Sequence, residues 1–88
     1  MEEGKFPQKT KELVWQKVGE SYILADKDTQ QNVALDPISF LVWIQCDGKT
    51  SANAIADVFA VSGNADIVRA AIKGVIDKLE SSGLIKWV

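Results

Sequence analysis

The side chains able to do chemistry are few in this chain, and most stand alone. It contains no histidine, which removes the usual general base near neutral pH and the commonest metal ligand. Cys46 is the only cysteine. It follows an apolar segment with no imidazole to activate it, so it reads as a buried structural thiol rather than a nucleophile. One cysteine also cannot build a structural zinc site, and no glycine-rich phosphate loop is present. The carboxylate pairs are Asp26/Asp28, Asp57/Asp66 and Asp77/Glu80. Asp26 and Asp28 fall in a polar turn, where neither burial nor a fixed charge partner would shift a pKa toward catalysis. No residue set here supports a reaction, a cofactor or a metal ion, so an enzyme is not expected.

Composition narrows the classes further. The chain has 88 residues, 47% hydrophobic and 25% charged, enough for one domain around one core. Ten basic residues against twelve acidic ones leave a formal charge of −2. That balance gives no electrostatic reason to bind nucleic acid or an anionic membrane. A lone cysteine, no basic-then-apolar opening and no apolar run near ~20 residues point to the cytoplasm.

Residues 1–11 carry charges, a glycine and a proline with little apolar periodicity. They read as a flexible N-terminal arm, leaving 12–88 as a single domain. Three short β-rich runs follow: Leu13 to Val18, Ser21 to Ala25 and Gln31 to Leu35. Gly19-Glu20 and the polar run Asp26 to Gln30 separate them, so an antiparallel three-stranded meander is expected. Asp36-Pro37 then places a capping carboxylate before a proline suited to the first helical position. The helix to Cys46 is apolar nearly all round, the pattern of a helix buried on several sides. Ser51 caps a second helix to about Val61, and Ser62-Gly63 breaks it. Asn64 caps a third, which runs to about Ser82 with Gly83 at its end. Leu84 to Val88 reads as a short strand or an apolar tail.

On the third helix, Val68, Ile72, Val75, Ile76 and Leu79 share one face and form the core stripe. Beside it runs a second stripe of Ile67, Ala71, Gly74 and Lys78, small in its middle. Glycine inside a helix costs ~1 kcal/mol relative to alanine, which asks for a close neighbour. Either the protein's own core or a ligand backbone would serve, and periodicity alone leaves both open.

The element order describes an α+β fold of winged helix-turn-helix type, with a three-stranded antiparallel N-terminal sheet followed by three helices. The residues also resemble the PqqD-like family, over about Leu13 to Ile85. The likeness lies in Ser21-Tyr22-Ile23-Leu24-Ala25 leading to Asn32-Val33-Ala34-Leu35-Asp36, and in the apolar helix ending at Asp47-Gly48 before the capped Ser51 helix. It continues through Asp66-Ile67-Val68 to the Gly83-Leu84-Ile85 exit. The resemblance implies a RiPP recognition element. Such a module binds the leader of a ribosomally made precursor peptide as an added strand and delivers it to a modifying enzyme, often a radical SAM protein. Carried onto this chain, it puts Gln31, Asn32, Val33 and Ala34 on the pairing strand. The helical wall becomes Ile67, Ala71, Gly74 and Lys78, with Lys78, and Arg69 or Lys73 at the margin, meeting an acidic leader residue. The turn Asp26 to Gln30 lacks the glycine or proline of some relatives, and the Trp87 tail has no counterpart in the family pattern.

Two other classes compete. A winged helix can bind DNA, but the third helix mixes Arg69, Lys73 and Lys78 with Asp66, Asp77 and Glu80, and the second helix has no basic residue. A dimerisation adaptor would use an exposed strand edge or the Trp87 tail to form a homodimer.

Overall fold

Two turns set the sheet. The computed structural model describes residues 6–60 and 64–88. In it Val14–Val18 and Ser21–Asp26 (here β2 and β3) pair antiparallel, with Val18 opposite Ser21. Gly19, at φ 63°, opens the two-residue turn between them, a position where glycine avoids the Cβ clash of the left-handed region. β3 then pairs with Gln31–Leu35 (β4), Asp26 opposite Gln31 and Tyr22 opposite Leu35. This second turn has no glycine. Gln30 takes the left-handed conformation itself, at φ 60°. The Asp26 carboxylate accepts from the backbone N–H groups of Asp28 (2.9 Å) and Thr29 (3.4 Å), which holds the loop. The order β2-β3-β4 is the three-stranded meander expected.

A further strand lies where a flexible arm was expected. Pro7–Lys9 (β1) pairs antiparallel with Ile85–Trp87 (β5), and the exchange continues as Phe6 and Val88 trade backbone bonds of 3.1 and 2.8 Å. β1 is also tied to the link after the first helix: Lys9 N–H donates to the Cys46 carbonyl (3.0 Å) and Gly48 N–H to that of Pro7 (2.9 Å). Pro7 is fully buried. Residues 6–10 therefore belong to the folded body, and the Trp87 tail is spent on them.

The helices are Pro37–Ile44 (α1), Ala52–Phe59 (α2) and Ala65–Ser81 (α3). Asp36 caps α1 by accepting from Ser39 N–H at 2.7 Å, and Ser51 caps α2 by accepting from Ala54 N–H at 3.1 Å. α2 is shorter than expected, ending at Phe59; the proposed break at Ser62-Gly63 lies outside the described residues. Asn64 precedes α3 but makes no side-chain cap, because its backbone (φ −120°, ψ 16°) is not the extended form that aims a cap oxygen at the first turn. The far end closes as a Schellman motif. Leu84 N–H donates to Leu79 C=O (3.0 Å) and Gly83 N–H to Glu80 C=O (2.9 Å), with Gly83 at φ 80°.

The core joins Leu24 of the sheet to Phe40, Val42, Trp43 and Cys46 around α1, Ile55 of α2, and Ile72, Ile76 and Leu79 of α3. Tyr22 stacks on Phe40 with ring centroids 3.9 Å apart and planes within 4°. α1 is not buried on several sides as its composition suggested. Ile38, Leu41 and Ile44 share an exposed outer face, because sheet and α3 cover only the opposite half.

Candidate functional site

Among the described residues, the outer edge of β4 leaves backbone groups without partners. A two-residue turn makes Val18 and Ser21 a hydrogen-bonded pair, and antiparallel alternation then turns Tyr22, Leu24 and Asp26 of β3 toward β4. Their partners Leu35, Val33 and Gln31 use their backbone groups inward. The N–H and C=O of Asn32 and Ala34 are left on the open edge. Period-two geometry puts the Gln31, Val33 and Leu35 side chains on the core side of the sheet and those of Asn32 and Ala34 on the solvent face.

Across from this edge lies the second half of α3. Two hollows of about 190 Å³ each border this edge, one facing α3 and the other lying past its end. The first is walled by Val33, Leu35 and Ala34 on one side and by Val75, Lys78 and Leu79 on the other, with Asp36 and Ser39 closing one end. The second runs beneath the β3–β4 turn, over Leu13, Leu24 and Leu84, and ends at Lys11 and Asp26. Val33 and Ser82 line both, so the hollows adjoin, with apolar residues between charged ends.

The ends are electrostatically defined. The Ser39 N–H bond holds the Asp36 carboxyl below its usual range, and the nearby Lys78 charge adds to that. At the other end Lys11 reaches Asp26 at 2.9 Å and Asp28 at 3.6 Å. The hydrogen bond to Asp26 raises the Lys11 pKa, and the same bond lowers that of Asp26. This exposed pair fixes geometry more than it stabilises.

Of the residues singled out from sequence, Gln31, Val33, Ala34 and Lys78 line the groove, and Asn32 offers its edge backbone. Ile67, Ala71 and Gly74 are exposed on α3 and do not line it; Ile67 is 72% exposed and borders a separate hollow at the start of α3. A Cβ on Gly74 would meet nothing within 4 Å, so no close neighbour among the described residues requires that glycine. Val75, Leu79 and Ser82 were missed as wall residues. The wheel had assigned the first two to the core, and Ser82 falls at the helix terminus.

The other candidates for chemistry are accounted for structurally. Cys46 is fully buried, and its thiol donates to the Val42 carbonyl at 3.2 Å. Burial pushes its pKa up to about 11, against a smaller lowering by Lys9, so the thiolate is scarce at neutral pH. Arg69 pairs with Asp57 at 3.2 Å, joining α2 to α3. Among the described residues no group of His, Cys, Asp or Glu is placed to hold a metal ion, and no helix is long and apolar enough to cross a membrane.

The chain matches no known family model and no curated protein. Among solved structures it is similar to TbiB1, determined in complex with the TbiA(beta) leader peptide. The TM-score is 0.68 at 15% identity, over 90% of this chain and 94% of that one. At that identity the likeness is one of fold, and it extends over nearly all of both chains: this chain has the TbiB1 fold.

Proposed function

We propose that the chain is a non-catalytic peptide-binding module of PqqD-like type, which captures the leader of a ribosomally made precursor peptide and presents it to a modifying enzyme. The leader adds as a strand to β4, bonding to the backbone of Asn32 and Ala34, and alternate side chains enter the groove. Strand addition of this kind draws affinity from main-chain bonds and selectivity from the flanking hollows. The observation that carries the reading is the coincidence of an unpaired strand edge with two adjoining hollows that meet at Val33 and Ser82. The shared fold of TbiB1, seen with a leader peptide, supports it.

Lys78 at the rim meets an acidic leader residue, and Ala71, Gly74 and Ile67 extend the wall for a longer peptide. The enzyme served is a radical SAM protein or another peptide-modifying enzyme, working in the cytoplasm where the precursor is made. DNA recognition by α3 is disfavoured, since Arg69 is engaged by Asp57 and three carboxylates share the helix. The test is an amide NMR titration with the leader of a precursor encoded beside this chain. Shifts centred on Gln31–Leu35 and on Val75, Lys78 and Ser82 are expected; shifts with duplex DNA and none with any neighbouring leader would overturn the reading.

A further inference from the structure

The sheet has a second open edge, on the side away from the groove. Alternation leaves the backbone N–H and C=O of Trp15 and Lys17 unpaired along β2. Every residue of β2 is exposed, with Val14 at 56% and Val18 at 55%. Among the described residues no proline, bulge or covering loop protects this strand, although apolar edges are usually blunted in such ways. Its one charge, Lys17, leans over the Tyr22 ring at 5.9 Å.

The edge is complementary to itself. In an antiparallel two-fold pairing centred on Gln16, Val14 faces Val18 of the second copy and Trp15 faces Lys17 of the second copy. The unpaired backbone groups are those of Trp15 and Lys17, the two residues that this register joins, so all of them find partners. The side chains agree: valine meets valine on the outer face, and a cation meets an indole on the helix side. In this register Glu12 faces Glu20 of the second copy just beyond each end of the strand, where solvent and salt screen the like charges and Lys9 lies 3.9 Å from Glu12. Shifting the centre to Lys17 would oppose two ammonium groups, and shifting it to Trp15 would set Val14 opposite Gln16, so the Gln16 register is favoured. Trp15 packs edge-on against Phe40 at 4.7 Å, and exposed Ile44 lies one helical turn along α1 from Phe40. A five-residue strand pair buries little by itself, so the dimer is expected to be weak.

We infer that the β2 edge is a homodimer interface, pairing two copies into one six-stranded sheet. The inference does not depend on what fills the groove. Because β4 is the opposite edge, each copy in the dimer keeps its groove open. Sedimentation equilibrium of the full chain over about a hundredfold concentration range tests it. The average mass is expected to rise from one chain toward two. Lys17→Pro removes an outward N–H without touching the β2–β3 ladder, and Val14→Lys sets a charge opposite Val18 of the second copy. Both are expected to stay monomeric, with unchanged circular dichroism. A wild-type chain that is monomeric throughout, or a dimer that survives both substitutions, overturns the inference. A monomeric wild type whose Lys17→Pro variant stops supporting peptide modification overturns it in favour of an enzyme docked on this edge. Leader titration of the wild type separates the two readings: leader binding with no dimerisation at any concentration removes only the dimer, and dimerisation without leader binding removes only the groove.

Discussion

Val33 and Ser82 face one groove from opposite walls, the first from an edge strand and the second from the last turn beyond α3. Each borders both hollows, so the two depressions meet at this pair. The Schellman bonds from Gly83 and Leu84 hold Ser82 there, and the Gln30 turn sets the register that brings Val33 inward.

The open edge makes the sharpest mutational prediction. Ala34→Pro deletes an outward N–H and leaves the β3–β4 ladder intact, so the fold should persist. Losing one main-chain bond should weaken leader binding about 3- to 10-fold, the equivalent of ~0.5–1.5 kcal/mol. Titration calorimetry beside a thermal melt checks both halves.

Gly74 separates stability from binding. No described residue presses on it, so Gly74→Ala should stabilise the exposed helix by up to ~1 kcal/mol, seen as a raised Tm. If the leader runs along α3 past Lys78, Gly74→Leu should keep the fold and weaken leader binding. Unchanged binding in Gly74→Leu would end the groove wall at Val75.

The α1 cap links stability to acid. Asp36 has its folded pKa lowered, chiefly by the Ser39 N–H, so its contribution is complete above the ordinary carboxyl value near ~4 and is lost as pH falls through the lower folded value. Asp36→Ala should cost ~1 kcal/mol at neutral pH. Asp36→Asn keeps a cap acceptor without a titrating group. Its denaturant midpoint should therefore fall less between pH 5 and pH 2 than that of the wild type.

Cys46 should be inert while the chain is folded. With its thiol buried and its pKa pushed up to about 11, reaction with a disulfide reagent at pH 8 should wait for unfolding. Rapid labelling of the native protein would contradict its placement under α1.

Local chemistry was legible in the chain; long-range pairing was not. Asp36-Pro37, Ser51 and Gly83 announced their caps because a cap is decided within about one helical turn. Asn64 has the right residue type and fails, since its backbone does not present the side chain. β1 went unread because three residues starting at Pro7 carry no period, and their partner is the opposite end of the chain. The groove was half visible. Gln31 to Ala34 could be placed on an edge strand, whereas Val75 and Leu79 sit at the border of the core stripe, where a helical wheel cannot tell a neighbour from a ligand.

Amide hydrogen exchange, residue by residue, with and without the leader, tests strand addition most directly. In the free protein Gln31, Val33 and Leu35 should exchange slowly and Asn32 and Ala34 fast, since only the first three donate to β3. Leader binding should slow Asn32 and Ala34 selectively. Protection that appears at Trp15 and Lys17 instead, or at neither edge, would contradict a leader held as a strand on β4.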